Sequence, residues 1–247
     1  MKIDPLYILP NLFTGASIYL GVLAISYAFM GKFSLACWLI LISLIFDGLD
    51  GRVARLTGTC SKFGVEFDSL ADVIAFGVAP AMILFFYSGF SYGKFGLVVS
   101  GLYVIFGAIR LARFNVTTSQ IEPNVFIGLP IPSAAVFVVS WLLFVMHLEK
   151  YFIELLPYTN LILNFIMIAT LCVALLMVSN IRYPSFKKMN FEKISITKVI
   201  VLLMFALSIL FIYPIFTIMT LITLYVLFGP LRAAYYLCAK DSTRMRK

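Results

Sequence analysis

Charge is scarce in this chain. Across 247 residues, Asp, Glu, Lys and Arg make up only 12%, against roughly 25% in soluble domains. A water-soluble globule of this size needs far more polar surface. The shortage excludes a soluble enzyme and a disordered chain, and it argues against a nucleic-acid-binding module despite the formal charge of +8. Histidine occurs once, and carboxylates are few enough that their placement matters more than the total charge. The four cysteines, Cys37, Cys60, Cys172 and Cys238, lie far apart with no C-x-x-C pair. They read as small packing residues, not as a disulfide framework or a zinc site. Internal repeats, low-complexity tracts and long linkers are also missing, so one compact helical domain is expected. Pro5 and Pro10 interrupt the first apolar stretch, and no small-residue cleavage site follows a basic region. That stretch is therefore expected to stay as a helix and not to be removed as a signal peptide.

Apolar surface is what the chain has in excess: 62% of its residues are hydrophobic and its mean hydropathy is +1.04. A helix needs about 20 apolar residues to cross a bilayer. Such runs occupy residues 7–30, 33–56, 64–88, 95–115, 132–147, 160–179, 197–212 and 214–237. The pattern predicts an all-α, polytopic integral-membrane bundle of about eight transmembrane helices. With the N-terminus and C-terminus both cytoplasmic, only Lys32, Lys94 and Lys150 of the 19 Lys and Arg fall on the far side, leaving 19 − 3 = 16 inside. That split follows the positive-inside bias, and removing one helix scrambles it. The basic excess thus reads as topology and contact with anionic headgroups, with no nucleic-acid partner expected. The sizeable loops, 116–131 and 180–196, both fall on the cytoplasmic side.

Five of the eleven acids lie within 47–72: Asp47, Asp50, Glu66, Asp68 and Asp72. The four aspartates sit inside helical spans, where an ionised side chain costs at least ~2.5–3.5 kcal/mol at mid-bilayer. A bound cation resolves that cost. Asp47 lies roughly 21 Å along the second helix from its outer end, and Asp68 and Asp72 lie roughly 6 and 12 Å above the inner start of the third. All four converge in the cytoplasmic leaflet. Asp47 and Asp50 are about 60° apart on their helix, and Asp68 and Asp72 about 40° apart on theirs. Two neighbouring helices can so present four hard oxygen ligands to one point, a set that suits Mg²⁺ or Mn²⁺. Four carboxylates suffice for two divalent cations a few ångströms apart, an arrangement that stabilises phosphoryl displacement. Gly51 and Ala54 share the Asp47 face; they leave room for a ligand or simply allow close helix packing. Arg55 at the helix end either clamps phosphate or snorkels to the interface.

The string Asp47-Gly-Leu-Asp50-Gly51-Arg-Val-Ala54-Arg55, eight residues, Gly64, three residues, Asp68, three residues, Asp72 resembles the signature of the CDP-alcohol phosphotransferase family without a departure. The resemblance implies an integral-membrane enzyme that exchanges the CMP of a CDP-linked substrate for an alcohol. It implies that Asp47, Asp50, Asp68 and Asp72 hold two divalent metals, that Asp72 is also the catalytic base, and that Gly51, Ala54 and Arg55 contact the cytidine diphosphate. A homodimer is a further expectation from the family.

Other polar residues fall at the same depth. Asn11 and Thr14, one turn apart after Pro10, can hydrogen-bond a cytosine edge or ribose, or can merely cap the first helix. The resemblance, in which Pro-Asn-x-x-Thr borders the nucleotide, favours the first role; Ser61 matches a weaker contact to the same group. Arg110 and Arg113 share a face near the inner end of the fourth helix, where they are either interfacial anchors or the cations a substrate carboxylate needs. These two, with Gly128-Leu-Pro130-Ile-Pro132 and Ser179-Asn180-Ile-Arg182-Tyr183, resemble the branch of the family whose substrates are CDP-diacylglycerol and L-serine. The similarity runs through about residue 188, giving a core of six helices over 1–188 and two added helices with a basic tail over 189–247. Rival acceptors are glycerol phosphate, inositol phosphate and choline. A phosphorylated acceptor needs further basic residues, and choline favours an aromatic cage. A divalent-cation transporter is a more distant rival, since the second half has no matching acidic cluster.

Overall fold

A computed structural model describes residues 8–117, 125–152, 156–184 and 196–244. Within these, eight helices follow one another: α1 (Ile8–Phe29), α2 (Phe33–Thr57), α3 (Lys62–Tyr87), α4 (Lys94–Thr117), α5 (Ile131–Tyr151), α6 (Leu156–Val178), α7 (Ile196–Ile212) and α8 (Pro214–Arg244). Seven are long and apolar enough to cross a membrane. The remaining expected span, 197–212, is α7, which has 17 residues, about 25 Å at 1.5 Å per residue and short of a ~30 Å hydrocarbon layer. Conversely, α5 extends four residues beyond its apolar run to Tyr151, because His147, Glu149 and Lys150 end the hydrophobic pattern without ending the helix. The expected junction at residue 188 lies outside the described residues.

α5 is the most enclosed helix, with 67% of its span buried. It packs against α2, α3, α6 and α8, which is why it is apolar on all sides. α1 lies along α2, α4 along α6, and α7 packs mainly on α8. α1 also crosses α3 closely: a methyl group on Gly21 would sit 3.0 Å from the Cα of Ala75. Ala75 belongs to a wide π-helical turn, Val73–Val78, where the Ala79 N–H bonds Ile74 O, five residues back. Such turns recur at functional sites, and this one begins directly after Asp72. The buried Tyr103 hydroxyl of α4 donates to Phe76 O inside it (3.1 Å), which gives the phenol the partner its burial requires.

The bundle has two chemically distinct ends. At one, the Asn115 amide of α4 donates to Ser69 Oγ of α3 (3.0 Å), and Arg113 reaches the end of α6. At the other, Tyr87 donates to Glu149 (2.8 Å), near Lys32 and Lys150. The sequence predicts no regular structure in the two long loops. Instead, β1 (Val125–Ile127) and β2 (Arg182–Pro184) pair antiparallel, Phe126 opposite Tyr183, and join these loops at the first end. Gly128, at φ +76°, makes the turn from β1 towards α5, and a side chain there would collide with Met177 O at 2.3 Å.

Candidate active site

The site begins where α2 stops. Gly58, at φ +67°, accepts the left-handed conformation that ends the helix, a conformation costly for other residues. Three residues later the Ser61 side chain accepts the Gly64 N–H (3.0 Å) and caps α3. This short connection folds α3 back beside α2. Oxygens of Asp47, Asp50 and Asp68 then lie within 4.8 Å of one another. Asp50 is buried and the other two are half-buried. Three carboxylates so close repel one another strongly in a low dielectric, and an oxygen-only donor set is the kind hard divalent cations take. The residues present fit a metal ion.

Asp72 stands at the edge of this triplet. Its side chain is in hydrogen-bonding contact with Asp47, and its buried Oδ1 has no partner among the described residues. It also interacts electrostatically with Arg110 of α4. Thr14 of α1 braces the triplet from the other flank, donating to Asp50 Oδ2 at 2.7 Å.

A cavity leads outwards from Asp50 and Asp68. Pro10, Asn11, Thr14, Gly51, Ala54, Arg55 and Ser61, the seven residues expected to touch the nucleotide, all line it. Gly51 is informative here. A methyl group on it would meet only the Arg55 guanidinium, at 3.5 Å, so close helix packing does not explain the missing side chain. Arg55 is exposed at the mouth and interacts electrostatically with Asp50. Thr59, Cys60 and Val65 line the same wall without belonging to any motif in the sequence; the helix-stopping Gly58 is the signal that the residues after it turn back over the site.

The two arginines of α4 part company. Arg113 donates from Nη1 to Val178 O (2.9 Å) and Asn180 Oδ1 (3.3 Å), and from Nη2 to Ile127 O (3.2 Å), Met177 O (3.4 Å) and Ser179 O (3.0 Å). It caps the C-terminal carbonyls of α6 and ties them to β1. Arg110 is only 6% exposed, lies 5.4 Å from the Phe114 ring, and its Nε has no hydrogen-bond partner among the described residues. Neither arginine lines the cavity that holds the other candidates.

Carboxylates gathered inside a bundle of helices long and apolar enough to span a membrane, beside a cavity lined from the first three of them, define an integral-membrane protein with a candidate metal site. Residues 7–176 match the CDP-alcohol phosphatidyltransferase family, and the chain belongs to that family; it is a transferase. It is 52% identical over 232 residues, 94% of its length and 93% of the relative's, to a protein of Helicobacter pylori named CDP-diacylglycerol–serine O-phosphatidyltransferase. A Methanocaldococcus jannaschii protein of the same name is 39% identical over 70% of this chain and 72% of its own. The archaetidylserine synthase of Methanothermobacter thermautotrophicus is 40% identical over 74% and 72%. The family match ends within α6, whereas the Helicobacter pylori likeness covers 94% of the chain and so reaches α7 and α8.

Proposed function

We propose that the protein transfers the phosphatidyl group of CDP-diacylglycerol to the hydroxyl of L-serine, giving phosphatidylserine and CMP. The observation that carries the acceptor assignment is Arg110: a single buried guanidinium with an unpartnered Nε, set beside Asp72. One buried cation suits the single negative charge of an amino-acid carboxylate. A phosphorylated acceptor needs more, and Arg113 is already committed to five oxygens. Choline offers such a cation nothing. The relatives support the same reading, because their names differ in the lipid, diacylglycerol or archaetidyl, and agree on serine.

The diphosphate binds where Asp50, Asp68 and Arg55 meet, with the cytidine in the cavity walled by Pro10, Asn11, Thr14, Gly51, Ala54 and Ser61. Asp47, Asp50, Asp68 and Asp72 hold two divalent cations, Mg²⁺ or Mn²⁺. When bound, these neutralise the phosphate charges and stabilise the charge that develops as the phosphorus–oxygen bond to CMP breaks. Asp72 accepts the serine hydroxyl proton as that oxygen attacks phosphorus, since a neutral hydroxyl is a weak nucleophile. The site faces the cytoplasm, with both termini on that side, as the distribution of Lys and Arg favours. The protein works in the cytoplasmic membrane, and as a homodimer on the family's pattern.

An acceptor screen tests the reading. Purified protein with CDP-diacylglycerol and Mn²⁺ should release CMP when L-serine is added, and far less with glycerol 3-phosphate, inositol phosphate or choline. CMP release driven best by any of those three overturns it.

A further inference from the structure

The carboxylate triplet draws on two helices that hardly meet. Asp47 and Asp50 stand on α2 and Asp68 on α3. Beyond the turn at Gly58, residues Lys62–Asp72 make few close backbone approaches to α2. α1 packs against both. On the α2 side, the hydroxyls of Ser17 and Ser43 lie 2.8 Å apart, and Ser43 Oγ is 3.2 Å from Ser17 O. With one proton each, Ser17 donates to Ser43 and Ser43 donates to the carbonyl, so the pair is satisfied within a fully buried contact. Ser43 lies one turn before Asp47. On the α3 side, Gly21 of α1, one turn beyond Ser17, meets Ala75, one turn beyond Asp72. A methyl group on Gly21 would come within 3.0 Å of Ala75 Cα and 3.4 Å of its Cβ.

We propose that Ser43 and Gly21 are positioning residues of the metal site: α1 sets the height of α2 against α3, and so brings Asp47 and Asp50 level with Asp68. The proposal deepens the metal reading above and rests on it. Helices surrounded by lipid gain little from hiding apolar surface against one another, so close backbone approach and interhelical hydrogen bonds decide how they stack. A slip of one residue moves a side chain about 1.5 Å along a helix axis, whereas a functional constellation must be held to within about 0.5 Å. The Ser17–Ser43 pair resists such a slip on α2, because a displaced hydroxyl would be left buried without its partner. Gly21 resists it on α3 by letting Ala75 seat directly against α1. Ala75 lies in the wide turn Val73–Val78, which follows Asp72 directly, so a displacement there passes down α3 to Asp72 and Asp68. Thr14 braces Asp50 itself; Ser43 and Gly21 act on the ligands through the helix backbones.

The test measures Mn²⁺ binding directly, from the loss of the free-ion electron paramagnetic resonance signal as full-length protein in detergent is titrated, alongside the melting temperature. The variants are Gly21→Ala, Ser43→Ala and Gly15→Ala. The last adds the same methyl group to α1 where no described residue outside its own helical turn lies within 4 Å. Gly21→Ala should weaken Mn²⁺ binding about tenfold, the lower end for groups that orient ligands. Ser43→Ala should weaken it about threefold, the scale of one interhelical hydrogen bond in a membrane bundle, and Gly15→Ala should leave it unchanged. Unchanged Mn²⁺ affinity in either of the first two variants overturns the proposal, whatever its melting temperature, because lost stability alone marks a merely structural role. An equal loss of affinity in Gly15→Ala overturns it too. Ser43→Ala only removes an atom, so it decides the matter should Gly21→Ala fail to fold. Wild-type protein that takes up no Mn²⁺ overturns the metal reading itself, a result separable from the variants because it needs none of them.

Discussion

The Thr14 hydroxyl of α1 donates to Asp50 Oδ2 of α2 across 2.7 Å, with both residues buried. Pro10 O also lies 3.2 Å from that hydroxyl, but the single proton makes its shorter bond to the carboxylate. α1 therefore contributes to the site by orienting a carboxylate of the proposed metal cluster as well as by lining the cavity. Groups that orient ligands typically change metal affinity 10–100-fold when removed. Thr14→Val keeps the shape and deletes the donor. The Mn²⁺ concentration for half-maximal CMP release should rise by roughly that factor, and Thr14→Ser should restore it. A Val variant with wild-type Mn²⁺ dependence would leave Thr14 to the nucleotide alone.

Three carboxylates within 4.8 Å of one another need a cation to be stable together as anions. Chelation with EDTA should abolish turnover, and Asp47→Asn or Asp68→Asn should do so with the metal restored. Full activity in rigorously metal-free buffer contradicts the metal assignment.

The aspartates were legible because their spacing fixes which helix face they share, and residue counts fix their depth. Both follow from regular α-geometry, and the turn at Gly58 brings the faces together; the structure gathers Asp47, Asp50 and Asp68, however, and leaves Asp72 at the edge of the group instead of among four converging carboxylates. What regular geometry does not encode was not legible. The π-helical turn after Asp72 is a change of hydrogen-bond register with no compositional mark. β1 and β2 have three residues each, too few for a period to show. Arg113 carried the same signal as Arg110, a cation near a helix end, because its partners are chiefly backbone carbonyls, which any sequence supplies.

Gly51 faces the cavity with nothing but Arg55 near its absent side chain. Gly51→Ala should therefore fold and melt as the wild type does. Where the methyl group crowds bound nucleotide, overpacking of ~1–3 kcal/mol is expected, raising the CDP-diacylglycerol KM about tenfold or more. A variant that loses folding instead would return Gly51 to helix packing.

Arg110 and Arg113 should separate cleanly. Arg113→Ala removes charged hydrogen bonds that cap α6, each worth ~1.5–3 kcal/mol. At roughly 2–4 °C per kcal/mol for a protein of this size, the melting temperature in detergent should fall by at least ~5 °C. Arg113→Lys should not rescue it, since one ammonium cannot span five acceptors in a planar fork. Arg110→Ala should leave the melting temperature nearly unchanged and raise the serine KM far more than the CDP-diacylglycerol KM, as expected when uniform binding to one substrate is lost. The converse pattern would exchange the two roles.

Asp72 differs from the other three aspartates in its surroundings. It is absent from the triplet whose oxygens converge within 4.8 Å, it touches Asp47 and interacts with Arg110, and its Oδ1 is buried without a partner among the described residues. An unpartnered acceptor beside the proposed carboxylate-binding cation is placed to take a proton from the hydroxyl of the same acceptor molecule. Asp72 can act as a cation ligand, through one oxygen or both, or as the base. The two roles predict different losses. If Asp72 is the base, Asp72→Asn should cut kcat by at least ~10²-fold, within the usual range for general base catalysis, while CDP-diacylglycerol binding in Mn²⁺ largely survives. Asn keeps the shape and one oxygen, so the helices should pack as before and the π-helical turn should be undisturbed. Direct binding of CDP-diacylglycerol, measured alongside single-turnover CMP release, separates the cases. Binding lost in step with turnover would make Asp72 primarily a metal ligand and leave the proton to another acceptor.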